Sequence, residues 1–260
     1  MKIYTKETLI EALRAIRELG WVESARQGNA GGVGNTLEDL LEIEENNLPL
    51  PNASEWELKC QRTDSGSLTT LFHLEPSPRG MRFVPAILLP SYGWPHDSAG
   101  KRYPPAEMSF RQTINAACRT DRGFGIDVNR GDQRIEVSFD ASAVSPRHRE
   151  WLESVRSRVG LEELKPKPYW GFQDLYHKAG NKLPNCFYIL AQRKRESGRE
   201  YFRYNEIKML QHFALERFIK AIEQARILVD FDARTGHNHG TKFRLRKDSF
   251  SLLYASVTII

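Results

Sequence analysis

The stretch "EWELKCQR" sets a carboxylate, Glu57, and an ammonium, Lys59, two residues apart in a run that reads as a β-strand. Side chains at i and i+2 of a strand share a face, so Glu57 and Lys59 project together while Leu58 turns into the core. A carboxylate there can ligate Mg²⁺, with the Leu58 backbone carbonyl as another oxygen ligand. The ammonium can hold or deprotonate a water, or offset charge growing on a phosphate. The chemistry such a pair serves is hydrolysis of a phosphodiester. The same spacing also occurs on the exposed edges of many strands, so its surroundings decide.

Two other groups of residues bear on that chemistry. Glu38 sits on a short helix expected after a glycine turn (Gly28–Gly34), with Thr36 as its N-cap. It either faces the same site or is an acidic residue favoured by the helix dipole. The stretch "GHNHGTKFRL" puts His237 and His239 in a glycine-flanked loop, with Lys242 and Arg244 on the strand that follows. Arginine reads guanine through two hydrogen bonds, and histidine can reach a purine N7 or O6. Two histidines at this spacing could also hold a metal, but no carboxylate or cysteine within the stretch completes a set. A surface loop with no role is the plain alternative.

The elements that must position these residues follow from periodicity. Residues 5–19 read as a helix capped by Thr5, with Leu9, Leu13 and Ile16 on one face and Gly20 at its end. "EWELKCQR" and "SLTTLFHLEP" read as a hairpin about "TDSG", and 76–106, rich in proline and glycine, as a long surface loop or flap. "GFGIDVNRGDQRIEVSFD" is a second hairpin and "SPRHREWLESVRSRV" a helix. From Trp170 the order is helix, strand ("NCFYILAQRKR"), turn ("ESGRE"), a long helix through "EIKMLQHFALERFIKAIEQA", a strand ("RILVDFDAR"), then a loop and at least one more strand. This is a mixed α/β chain, and "GNAGGVGN" lacks the Gly-Lys-Ser/Thr ending of a nucleoside-triphosphate loop.

Composition sets bounds on function. A chain of 260 residues with 40% apolar content supports a real core. No apolar run approaches the ~20 residues of a membrane-spanning helix, and "MKIYTKETLIEALRAI" lacks a secretory apolar region. A cytoplasmic protein is expected. Cys60, Cys118 and Cys186 are far apart and read as buried thiols rather than a disulfide framework. The net charge of +5 is concentrated in "AQRKRESGREYFRYNEIK" and "TKFRLRK", which places positive surface in the second half.

Taken in order, "RQGNAGGVGNTLEDLLEIEENNLPLPNASEWELK", "SLTTLFHLEPSPRG", "YWGFQDLYHKAGNKL", "YFRYN" and "HNHGTKFRL" resemble the MvaI/BcnI restriction endonucleases, relatives of the mismatch-repair nicking enzyme MutH. The resemblance spans nearly the whole chain and is weakest over 81–145. It implies a mixed central β-sheet flanked by helices, of the PD-(D/E)xK nuclease type, in two lobes around a cleft for double-stranded DNA. The expected division is 1–165 as mainly the catalytic lobe and 166–260 as mainly the DNA-recognition lobe, with one continuous two-lobed domain as the alternative. The implied activity is Mg²⁺-dependent double-strand cleavage at a short GC-rich (CC-N-GG type) site by a monomer that nicks the strands in turn. No obligate protein partner is implied, and a cognate methyltransferase is expected in the same system. By motif, Glu57 is a metal ligand, Lys59 the catalytic lysine and Glu38 the supporting helix glutamate, while His237, His239, Lys242 and Arg244 fall in the base-reading element.

One position departs from the pattern. Five residues before Glu57, after Pro51, the family has an aspartate that holds metal; here it is Asn52. Asparagine keeps an oxygen of the same reach and loses the charge, which hard divalent cations depend on. Three readings stay open: a change introduced to trap uncut DNA, a naturally silenced relative that only binds DNA, or rescue by Glu55. A MutH-like nicking enzyme is a further alternative.

Overall fold

The computed structural model describes residues 4–24, 26, 31–43 and 55–260. In chain order the elements are α1 (Lys6–Glu18), β1 (Val22–Glu23), α2 (Gly32–Leu40), β2 (Trp56–Arg62), β3 (Thr69–His73), α3 (Leu89–Tyr92), β4 (Trp94–Pro95), β5 (Met108–Ile114), β6 (Arg122–Asn129) and β7 (Arg134–Val144). They continue with α4 (Arg149–Val159), β8 (Tyr169–Gly171), α5 (Phe172–Lys182), β9 (Asn185–Glu196), β10 (Arg199–Phe213), α6 (Leu215–Glu223), β11 (Ile227–Arg234), β12 (His237–Asn238), β13 (Lys242–Leu245) and β14 (Tyr254–Ile259). Among them no helix is long and apolar enough to cross a membrane. Mixed α and β structure, with several sheets flanked by helices, is what the sequence leads one to expect.

Two compact units share the chain: Met1–Thr69, His177–Arg217 and Lys247–Ile260 form the first, and Thr70–Tyr176 and Phe218–Arg246 the second. Each is assembled from separated segments, whereas the expected division at 165 is sequential. The reason is strand pairing: β2 takes β9 as its partner, more than a hundred residues on, so the first unit cannot close before β9 is made.

The first unit holds a five-stranded sheet in the order β1-β10-β9-β2, with β14 also paired to β10. β2 runs parallel to β9, pairing Trp56 with Asn185 through Arg62 with Ala191, while β10 is antiparallel to β9 and β14. Trp56 and Leu58 point with Phe187 and Ile189 to a face covered by Leu9, Leu13 and Ile16 of α1 and Val33 and Leu37 of α2. Each such aliphatic or aromatic side chain contributes about 1.5–3 kcal/mol on burial. Thr5 caps α1 by accepting from the Thr8 amide, and Thr8 returns the bond to the Thr5 amide.

The second unit carries a six-stranded sheet, β3-β13-β11-β5-β4 with β12 on β11, and a three-stranded sheet, β6-β7-β8. Its core is aromatic. Phe110 meets Phe231 and Phe124 at 5.5 and 5.4 Å between ring centres, and Phe72 stacks on Phe243 at 5.1 Å. Trp170 is anchored by a 3.0 Å hydrogen bond from its indole to the Leu74 carbonyl.

Four local expectations are corrected. β2 and β3 are not a hairpin, since they lie in different sheets. The segment 76–106 contains a π-helical turn, Val84–Leu88, and α3, with Val84, Leu88 and Tyr92 buried. Thr36 lies inside α2, buried, and Gly31 takes the N-cap place. The glycine stretch therefore becomes helix from Gly32, where a side chain would meet the Arg26 carbonyl at 3.0 Å. Finally, β10 runs to Phe213 and leaves helix only over Leu215–Glu223. A β-bulge between Tyr204 and Glu206 shifts the inward phase by one residue, so Phe202 and Tyr204 are followed on the core face by Ile207 and Met209. With Leu210 buried on the opposite face, the resulting Tyr204-Ile207-Leu210 spacing imitates a helix.

Candidate active site

Glu57 and Lys59 share one face of β2, as the i, i+2 spacing requires, and the buried Leu58 side chain points the other way. The Glu57 side chain is only 1% exposed, with Oε1 2.6 Å from the Lys59 ammonium. Its Oε2 lies 3.1 Å from a second ammonium, Lys182. Neither carboxylate oxygen has a partner of hydrogen-bonding geometry. A buried carboxylate is ordinarily hydrogen-bonded, so both oxygens here are held by charge with lone pairs to spare.

Lys182 was not singled out by sequence reading. It ends α5, and Pro184 leads directly into β9. Because β9 is parallel to β2, the end of α5 and the start of β2 lie at the same edge of the sheet, which brings Lys182 to Glu57. Cys186 pairs in register with Glu57, and Tyr188 with Lys59. The Cys186 thiol is pushed far up, first by burial and then by the charge of Glu57. Tyr254, on β14, is buried beside Cys186, and its hydroxyl is likewise pushed up by burial. Tyr188 donates to Gln61 at 2.8 Å and stacks on Phe250 at 4.5 Å, closing the same face.

Glu38 approaches from the helix side. α2 packs on the Trp56–Leu58 face, and the charge of Glu38 acts on Cys60, whose side chain lies opposite Glu57 and Lys59. Burial is the first cause that raises the Cys60 thiol. Glu55 is exposed in the turn that enters β2. Asn52 lies outside the described residues. Cys118 is exposed, which corrects the expectation of three buried thiols.

The other candidate residues lie on the six-stranded sheet of the second unit. One face of β5, β11 and β13 is apolar (Phe110, Ile114, Val229, Phe231, Phe243), and the other is a lattice of charges. Asp232 binds Lys242 at 3.1 Å and Arg111 at 2.8 Å. Asp230 accepts from Thr113 at 2.8 Å and from Arg244 at 3.3 Å. Burial alone raises the Asp232 carboxyl, but the Lys242 bond and the charges of Arg111, Lys242 and His239 outweigh it and hold the group below the usual range. At the open end of this face His237 and His239 are exposed, their rings in edge contact at 4.3 Å, and the His239 amide donates to the Asp232 carbonyl. Arg234 joins them, bonded to Glu107 at 2.9 Å. The aspartates, Arg111 and Arg234 went unread in the sequence because the pairing of β5 with β11, which sets Arg111 and Thr113 beside Asp232 and Asp230, joins segments about 120 residues apart.

The fit of a divalent cation rests on Glu57. Its two oxygens, each ion-paired to a lysine but with lone pairs to spare, suit one vertex of a hard-cation site. Among the described residues no three His, Cys, Asp or Glu side chains form a metal cluster. The family resemblance assigns the second carboxylate to position 52, where the sequence supplies a neutral amide, and leaves Glu55 as the alternative source.

A carboxylate buried between two lysines thus lies on the mixed sheet of the first unit, and a charged sheet face lies in the second. The profile of the MvaI/BcnI restriction endonuclease family matches residues 10–254, and the chain belongs to that family. It is similar to the restriction endonuclease MvaI in complex with its cognate DNA substrate, with 27% identity and a TM-score of 0.76 over 98% of this chain and 99% of that one. MvaI in the absence of DNA is matched at 26% identity and a TM-score of 0.57, over 100% of both chains. No curated protein matches.

Proposed function

We propose that this chain is a type II restriction endonuclease that binds double-stranded DNA at a short GC-rich site of the CC-N-GG type and hydrolyses it with Mg²⁺, as a monomer nicking the strands in turn. The observation that carries the proposal is the buried Glu57 carboxylate, ion-paired through one oxygen to Lys59 and through the other to Lys182. Glu57, the Leu58 carbonyl and position 52 would hold the metal. When bound, Mg²⁺ polarises the scissile phosphate and makes a bound water more acidic.

The protein's own groups do the rest. Lys59 orients the attacking water and offsets charge on the phosphate, and Lys182 holds the Glu57 carboxylate in position. One carboxylate between two ammoniums leaves the site with a net positive charge, which suits a phosphate and disfavours a dication. Asn52 aggravates that imbalance. At an effective dielectric near 20, one unit charge 4 Å away is worth about 4 kcal/mol, so the missing aspartate costs roughly 10³-fold in rate. His237, His239, Lys242 and Arg244 read base edges, with Asp232 and Asp230 keeping the last two in place. Glu38 supports β2 from the helix side.

The runner-up keeps the DNA and drops the reaction: a sequence-specific binder silenced at Asn52. A duplex carrying one CC-N-GG site, mixed with the protein and Mg²⁺ and run on native and denaturing gels, separates the readings. Retarded duplex with slow nicks at fixed positions supports the enzyme, retarded duplex without nicks supports the binder, and no site-dependent retardation contradicts both.

A further inference from the structure

The second unit holds a cavity of about 610 Å³ that shares no lining residue with the charged sheet face. Trp94, Met108, Arg122, His148, Trp151 and Arg158 are among its walls. The walls are fixed in advance. The Trp151 indole donates to the Tyr92 carbonyl at 3.0 Å, and Arg158 donates to the carbonyls of Pro90 and Gly93 at 2.8 and 3.1 Å. Arg147 and His148 are both committed to Asp121.

Arg122 is different. Its guanidinium lies 3.9 Å from the Trp94 ring centre and 5.5 Å from that of Trp151. Among the described residues it has no side-chain hydrogen bond and no carboxylate within ion-pair distance, and its Nε is buried without a partner. Burial pulls its pKa below the usual guanidinium value. A charged donor so placed is costly unless something accepts from it. Guanidinium groups match phosphate and carboxylate oxygens through paired donors. The cavity is far larger than a simple anion needs and lies in the range of small-molecule sites. Its extra space is bounded by indole rings and by the stacked guanidinium, surfaces that take a flat aromatic ring. Asp97 and Glu150, also in the lining, can accept from ring amino groups and oppose a second anion.

We propose that this cavity binds a free nucleoside monophosphate, the phosphate on the open edge of Arg122 and the base against Trp94 and Trp151. The site is separate from cleavage and stands whether or not the chain cuts DNA.

The test follows the five tryptophan indole N–H signals by NMR while each of the four ribonucleoside monophosphates is titrated into the full chain. At least one nucleotide should shift Trp94 and Trp151 saturably and leave Trp170, bonded to Leu74, in place. Arg122→Gln should weaken that nucleotide at least 10-fold, and Arg122→Lys, which keeps charge but not the planar stack, by less. If Arg122→Gln disturbs folding, the wild-type chain decides alone, with the matching nucleoside and inorganic phosphate each binding at least 10-fold more weakly than the nucleotide. Phosphate binding as tightly as the nucleotide would reduce the site to an anion hole. Equal binding of the nucleoside would remove Arg122 from it. Absence of saturable shifts at Trp94 and Trp151 with all four nucleotides would overturn the proposal.

Discussion

Glu57 is asked to be a buried anion between two cations and still a ligand for a third. The arrangement works only if its charge is indispensable, so the isosteric loss of charge should be at least as damaging as the loss of either lysine. In the Asn52→Asp chain, Glu57→Gln should lower single-turnover cleavage at least about 10³-fold. Lys59→Met should cost about as much, and Lys182→Met, which only aims the carboxylate, about 10-fold to 10²-fold. Equal losses at the two lysines would place Lys182 in contact with the phosphate. The thiols give an independent check on burial. Cys118 should react with a thiol reagent in the native protein at neutral pH, while Cys60 and Cys186, whose thiolates are disfavoured by burial, should react only as the protein unfolds. Their raised folded pKa adds stability below the unfolded value of about 8.5 and gives it up as pH climbs above that.

At the scale of elements, local chemistry was legible and pairing was not. Thr5, the Leu9-Leu13-Ile16 stripe and Gly20 announce α1 because a helix is satisfied within its own sequence. Thr5→Ala breaks a reciprocal cap and should cost about 1 kcal/mol, a drop of roughly 2–4 °C in thermal midpoint for a chain of this size. Glu-x-Lys announced its own face of β2 for the same reason. Lys182 could not be seen, because it reaches Glu57 only through the parallel β2–β9 pairing. The bulge in β10 shows the converse, a local pattern that imitates the wrong element. Asp230 and Asp232 likewise acquire meaning only beside Arg111, Thr113, Lys242 and Arg244. Asp232→Asn should therefore loosen Lys242 and Arg111 together, weakening specific DNA binding about 10-fold with little change in non-specific binding. The Asp232 carboxyl is held down in the folded state, so its contribution to stability is present above the unfolded value of about 3.9 and fades as pH falls further. Acid unfolding of Asp232→Asn should lose that component.

For the molecule as a whole, the net charge is +5, a sign that suits the DNA phosphates of the proposed function. Affinity should fall as salt rises, with a log–log slope near −0.9 per phosphate neutralised, and a flat salt response would remove the polyanion from the account. The most direct test of the central claim is digestion of one plasmid in Mg²⁺ by the native chain, its Asn52→Asp version and the Asn52→Asp, Glu57→Gln double variant. The account predicts discrete fragments from the aspartate chain, cutting at least about 10³-fold slower from the native chain, and none from the double variant. No discrete fragments from the aspartate chain, or equal cutting with Glu57 replaced, would contradict a metal-dependent site built on Glu57.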